Sequence, residues 1–497
     1  MLRKKYSTGS YLHNLFRLGG VFVLLEFGVL NAANSGDTYP KDPLSTYKNV
    51  PTSASKSMFG DASEDPCNLL TPSNPLRLVE AIEYALCFQP KTRTAWANTK
   101  SQAALVGQAK AAYLPTLQAS GSRIWDHNNT ALPDMPDLDS KLSNDYSTTG
   151  ITMNWLLMDF GARTAAWDNA TALLAAATAN HDLALQTVFA ATAKDYFAAQ
   201  AAQENAITSR QTEANAKDVM NAAIARVTGG VAPISDQYQA QTAYAQAVIA
   251  RTKAEGEQQT AFGALAIDMG FAPNKELQPL TLTDAMPPIA SAMQPVDDLL
   301  KEAADHHPSL VAANQQLDAA IAKKRQVVAQ GMPSLSFTAK RNRSSDPMSL
   351  GVGLSNVDAM TNDRYFGIEL DVPLFEGFAR SYQIRSAEAD IEVKAAAVTD
   401  AEQQVALAVW NSYQTLKFNQ ENLYNTDMLL QIAQTSFVTA DERYQHGVGQ
   451  ILELLNTQTA LANARQQRVQ ALADWNNARM QLAASLGKLD ISFASQP

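Results

Sequence analysis

The stretch LLMDFGAR at residues 156–163 returns as PLFEGFAR at residues 373–380. Arg163 and Arg380 stand 217 apart, and so do Arg226 and Arg443, Gly230 and Gly447, Asp236 and Glu453, and Gly270 and Gly487. Upstream, Pro90 and Pro308, and Pro115 and Pro333, stand 218 apart. A single one-residue deletion reconciles the two spacings. Chance similarity does not hold register over some 180 residues, so the chain is one unit written twice. The halves cover about 75–285 and 293–490, joined by the Pro-containing segment 273–295.

Both halves share one grammar. A moderate helix runs to a proline, Pro115 or Pro333, and a β-hairpin follows, at about 116–158 and 334–375. Then comes a stretch without Pro or Gly, Ala162 to Thr228 and Phe378 to His446, of 67 and 69 residues. At about 1.5 Å per residue each makes a rod of roughly 100 Å. A Gly-containing turn ends the rod, at Gly229-Gly230 and at Gly447 to Gly449, and a last helix follows at about 234–268 and 451–486. Rods of this length need lateral partners. Ile384, Ile391, Val398 and Val405 repeat every seven residues as a seam, and the first rod carries many alanines, which let neighbours approach closely.

The strands point to lipid. Phe366, Ile368, Leu370, Val372 and Leu374 alternate with Tyr365, Gly367, Glu369, Asp371 and Pro373. Ile151, Met153, Trp155 and Leu157 form one face of 150–158, Leu335, Phe337 and Ala339 alternate with polar residues, and 116–125 alternates more weakly. Ten-residue alternating strands have the length that a membrane barrel needs. Open edges are not tolerated in lipid, and known barrels start at about eight strands, so four per chain require oligomerisation. Three copies would supply twelve. The loops Asp126 to Asp145 and about Arg343 to Arg364 would then face the exterior. Trp125, Trp155 and Tyr365 read as interfacial aromatics or as ordinary strand residues.

The ends and the composition agree with export. Arg3, Lys4 and Lys5, the apolar run Leu18 to Leu30, and Ala32-Ala33 read as a signal peptide over 1–32, despite Glu26; an N-terminal anchor helix is the alternative. Residues 33–75 read as an irregular extension. An oxidising compartment favours a disulfide between Cys67 and Cys87, pinning that extension to the first helix, with two free thiols as the alternative. The net charge is −10 and no long basic run exists, which argues against a nucleic-acid partner. Charged residues are 18% and aromatics 8% of a chain that is 46% hydrophobic, a profile unlike disorder. Beyond the N-terminus, no apolar run is long enough for a spanning helix.

The order and spacing of these parts resemble the TolC-like outer-membrane efflux proteins over about 75–490. The resemblance rests on the repeat, the junction prolines, the two quoted stretches, and the Gly turns before PISDQYQAQTAY (233–244) and ILELLNTQTAL (451–461). It implies a mainly α chain with a membrane β-barrel: a trimer whose 12-stranded barrel, four strands per chain, continues into a long α-helical barrel. It further implies the Gram-negative outer membrane, with a large periplasmic part. The implied partners are a periplasmic adaptor, an inner-membrane transporter and outer-membrane lipid. The cysteine pair resembles the subset serving type I secretion. At the tip that closes such ducts, the acid and tyrosine of the family's closing bonds match Asp236 and Tyr444, while the arginine position is Gly449. The paired acidic ring matches Glu453 and Asn456, keeping one acid of two. Gly230, Gly447 and Gly449 make the turns, and Pro115, Pro333 and Pro373 mark helix–strand junctions. First-turn acids favoured by the helix dipole are a second account of Asp236 and Glu453, compatible with the first.

No catalytic constellation, metal-ligand spacing or cofactor motif appears. Gly351-Val-Gly353 and Gly447-Val-Gly449 lack a third glycine, and His306-His307 before Pro308 reads as C-terminal helix capping rather than a metal site. An enzyme is therefore disfavoured. An exit duct carrying small toxic compounds or secreted polypeptide is the first reading, and a structural or adhesive exported coiled-coil protein the alternative.

Overall fold

The computed structural model describes residues 42–55, 58, 67, 72–131, 133–134, 140–279, 295–348 and 357–489. Residues 1–32, the expected signal peptide, and part of the extension 33–75 lie outside the described residues. The chain divides into two units, Met1–Pro43 and Leu44–Pro497, and all elements below belong to the second.

The first half runs α1 (Leu78–Phe88), α2 (Pro90–Ala111), β1 (Thr116–Thr130), β2 (Ser140–Met158), α3 (Ala162–Thr228) and α4 (Ile234–Asp268). The second runs α5 (Val296–His306), α6 (Pro308–Ala329), β3 (Ser334–Ser344), β4 (Thr361–Asp371), α7 (Ala379–Gln445) and α8 (Ile451–Ser485). Corresponding helices are 11, 22, 67 and 35 residues long in both halves, so the two-fold repeat is structural as well as sequential. Pro90 and Pro308 open α2 and α6. A proline drives the residue before it out of the helical region, and Gln89 and His307 both sit at ψ 127, breaking what would be one helix. His307 is the C-cap of α5, its N–H on the Ala303 carbonyl, and it also starts the next helix. Its Nδ1 accepts the Ser309 N–H at 3.2 Å and so caps the start of α6. Burial pushes the His307 pKa down, which favours the neutral ring that an acceptor needs.

The four strands form one antiparallel sheet in the order β1-β2-β3-β4, and the β2–β3 ladder joins the two halves. Residues opposite one another in a ladder share a face. Leu117, Met153, Ala339 and Phe366 form one row, with Trp155, Phe337 and Ile368 beside it and Leu335 with Leu370 next. The opposite face carries Gln118, Thr152, Lys340 and Tyr365, then Thr116, Asn154, Thr338 and Gly367. Tyr365 thus lies away from the apolar band that holds Trp155. A bulge between Leu156 and Met158 ends the alternation where the strand meets the helices.

Two strand limits differ from expectation. Residues 126–130 and 140–145 are ladder rather than loop, leaving only 131–139 to connect β1 with β2. Their polar side chains find partners across the ladder: Arg123 pairs with Asp145 at 2.6 Å and Ser143 with His127 at 2.7 Å. At the other end β4 stops at Asp371, because Pro373 has no N–H to donate.

The long helices pack side by side, α3 with α4, α7 with α8, and α3 with α6 and α8. Ile384, Ile391 and Val398 are half-buried and Val405 is buried. The same seven-residue line continues through Ser412, Asn419, Thr426, Ala433 and Ala440. The main core lies midway along the rods, where Leu185, Phe189 and Tyr196 of α3 meet Ile82 and Leu86 of α1 and Leu265 of α4. Cys67 and Cys87 form a disulfide. The preceding segment lies antiparallel along α2: Lys110 donates to the Leu44 carbonyl at 3.5 Å, and the Trp96 indole N–H to that of Pro51 at 2.9 Å.

Near that core Asp268 faces Asp195. Burial raises the Asp268 pKa to about 6; the Asp195 charge and hydrogen bond push the same way, and Lys91 opposes them. A carboxyl raised in the folded state stabilises fully below its unfolded value and loses that contribution as pH rises through about 6. Asp195→Asn is expected to flatten the fall in thermal transition temperature between mildly acidic and neutral pH; an unchanged slope rejects the coupling. Phe189→Ala empties the centre of the core and is expected to cost about 3–5 kcal/mol, read as a lowered denaturation midpoint.

Candidate functional site

Two regions gather the residues that the repeat singles out, and the first is the junction between sheet and rods. There the chain takes two successive left-handed residues, Phe160 (φ 49) with Gly161 (φ 97), and Gly377 (φ 59) with Phe378 (φ 64). Each half places one glycine in this strained pair, in opposite order. An arginine then staples the bend. Arg163 bonds Asp159 at 3.1 Å and the carbonyls of Leu156 and Leu157 at 2.6 and 3.1 Å. Arg380 bonds Glu376 at 2.8 and 2.9 Å and the carbonyl of Val327 at 3.1 Å. The acid–arginine spacing was visible in both quoted stretches; its stapling role was not, because the carbonyl partners belong to the strand end in one half and to α6 in the other. Pro115 and Pro333 immediately precede β1 and β3, and Pro373 follows β4.

The second region is the far end of the rods. Gly230 (φ 72) and Gly447 (φ 80) take the left-handed conformation that closes a helix. The N–H of Val231 then bonds the Arg226 carbonyl, and that of Val448 the Arg443 carbonyl, both at 3.0 Å. The equivalent arginines diverge. Arg443 pairs with Glu453 across its own turn at 3.0 Å. Arg226 instead reaches into the other turn: it donates to the Tyr444 carbonyl at 2.6 Å and lies over the Tyr444 ring at 4.8 Å.

Tyr444 is buried, and its hydroxyl has no hydrogen-bond partner among the described residues. Burial raises its pKa, Arg226 opposes that, and the Asp236 charge adds to it, so Asp236 acts on the phenol through space. The Asp236 carboxylate takes a hydrogen bond from Ser235 at 3.4 Å. Glu453 is held by Arg443, which offsets its charge, and Asn456 stands exposed one turn further along α8. At Gly449 a Cβ would lie 2.8 Å from the Tyr444 nitrogen and 3.0 Å from the Arg443 carbonyl carbon. The backbone therefore excludes any side chain there unless it shifts. Arg226 is the tip residue that sequence reasoning missed, although its match to Arg443 marked it.

Among the described residues no group of His, Cys, Asp and Glu is arranged to hold a metal ion, and no helix is long and apolar enough to cross a membrane. A family model for outer membrane efflux proteins matches residues 81–270 and again 299–488. Protein CyaE of Bordetella pertussis is 31% identical over 421 residues, spanning 83% of this chain and 84% of that one. The fold is similar to VceC of Vibrio cholerae, with a TM-score of 0.66 at 22% identity, covering 82% of this chain and 96% of that one. It is also similar to CusC, with a TM-score of 0.70 at 18% identity, covering 88% and 97%.

Removing the clasp tests the tip geometry. Arg226→Ala is expected to speed amide exchange at residues 444–449 about tenfold or more, since a hydrogen bond from a charged group is worth about 1.5–3 kcal/mol. Arg226→Lys, which keeps the charge without the planar fork, is expected to fall between. Exchange unchanged in both variants would show that the clasp holds nothing.

Proposed function

Since the chain belongs to the outer membrane efflux protein family, we propose that it forms the exit duct of a tripartite efflux or type I secretion assembly, as a homotrimer in the Gram-negative outer membrane. The carrying observation is the sheet. Its order β1-β2-β3-β4 leaves β1 and β4 as free edges, one face is apolar, and the rods run on from its inner end. In lipid such edges must pair, and three copies close a barrel of twelve strands.

A second observation supports the same assembly. Val393, Leu407, Phe418 and Ile432 on α7 are about 60% exposed, at 62%, 59%, 66% and 60%. Val393 and Leu407 follow a seam residue by two positions and Phe418 and Ile432 precede one by a single position, so all four lie about 200–260° around the helix from the buried seam. That stripe suits a rod of the next copy.

The helical part then encloses a periplasmic conduit, with the Gly230 and Gly447–Gly449 turns at its far tip. Asp236, Tyr444, Glu453 and Asn456 act as gate positions there, and the tip meets a periplasmic adaptor and an inner-membrane transporter. The duct performs no chemical step, and its partners supply the energy. Its cargo is either small toxic compounds or secreted polypeptide. A fibrous or adhesive exported protein would have no use for a sheet with one apolar face.

The full chain extracted in detergent is expected to run as a trimer and to open ion channels in planar bilayers. Glu453→Gln, which leaves Arg443 unpaired at the tip, is expected to shift their selectivity toward anions. A detergent-independent soluble monomer without conductance would overturn the duct.

A further inference from the structure

The ladder register places arginines where the apolar face ends. Arg341 stands directly opposite Arg364, in the row completed by Ala119 and Ile151 and next to the row of Leu117, Met153, Ala339 and Phe366. Arg343 lies one row further out, on the same face and opposite Asn362. This is the end of the sheet away from the helices. Residues directly opposed in a ladder have Cβ atoms about 5 Å apart, and like charges there repel. The nearest acid on that face, Asp145, is taken by Arg123. Among the described residues the side chain of Arg343 bonds to the Met360 sulfur, at 3.4 Å, and Arg341 and Arg364 have no acidic partner. The opposite face at the same level carries Lys340, Asn342 and Asp363, one base against one acid, so the excess basic charge belongs to the apolar side.

We infer that this arginine row docks the phosphorylated headgroup of an outer-leaflet lipid. The inference rests on the duct reading, which turns the apolar face to lipid. Guanidinium groups on flexible stems beside an apolar band reach toward the headgroup level. The planar fork binds phosphate oxygens in pairs, and a phosphate between Arg341 and Arg364 turns their repulsion into a bridge. An acyl chain of the same lipid would run inward along Phe366, Ile368 and Leu370 of β4. Charge and apolar surface thus fit the two ends of one amphiphile.

The test uses the full-length oligomer in detergent, titrated with bisphosphorylated lipid A, with the same lipid stripped of phosphate, and with inorganic phosphate. Wild type is expected to prefer the phosphorylated lipid. The double variant Arg341→Gln/Arg364→Gln is expected to bind it about tenfold more weakly or worse. Arg364→Lys is expected to fall between, and Lys340→Gln, on the other face, to match wild type. Equal binding by the double variant and wild type overturns the proposal, as does inorganic phosphate binding as tightly as the lipid. Oligomer retention by Arg364→Lys guards against a folding defect. A nitroxide on Phe366→Cys in lipid bilayers separates the two readings. If the label meets a water-soluble relaxer rather than oxygen, the duct reading itself fails. If it lies in lipid while the arginines make no difference, only the docking fails.

Discussion

Among the described residues, backbone N–H and C=O groups along the outer edges of β1 and β4 have no strand of their own chain to pair with. In water such edges are a hazard, and in hydrocarbon each unpaired group costs several kcal/mol. Most of the remaining architecture follows from that debt. In lipid the edges would demand copies of the same sheet, the copies would bring their rods into a ring, and the ring would give the exposed stripe of α7 something to cover it. A rod of 67 residues has little other means of burying its apolar sides, because it is too long to fold back on a globular core.

Within that frame the two halves share helices of equal length but not the same chemistry at the tip. Position 226 clasps the other turn, whereas position 443 neutralises an acid in its own. A ring of six helical hairpins built from three copies would therefore alternate between two kinds. Its symmetry at the tip would be three-fold, although its backbone would be close to six-fold.

Much of the fold was legible because its rules are periodic. The missing Pro and Gly between Ala162 and Thr228 located α3, and alternation located the strands. The line through Ile384 to Val405 faded to the eye at Ser412, Asn419 and Thr426, where the buried positions become small and polar. Asn419 compensates with a hydrogen bond to the Asp474 carbonyl at 3.3 Å, which no hydrophobic pattern records. Polar ladder ends such as Arg123–Asp145 looked like loop for the same reason. At the tip, the repeat flagged Asp236 and Glu453 because both halves keep an acid there. The reach of Arg226 toward Tyr444 depends on how two distant turns pack, and the arginine row depends on register across three strands. Neither is written in local order.

The equal helices and unequal strands also say where this duplicated chain has been free to change: the hairpin regions differ in ladder length, and by one residue in chain length. Strands of 15 and 19 residues in one half face strands of 11 and 11 in the other, and the spacing between halves shifts from 218 to 217 within that region. A residue gained in a rod would rotate everything beyond it by about 100° and misalign every row of the ring. A residue gained at the outer end of a hairpin displaces only itself. The one-residue change of spacing falls where geometry tolerates it, in the strands and their outer ends and not in the rods.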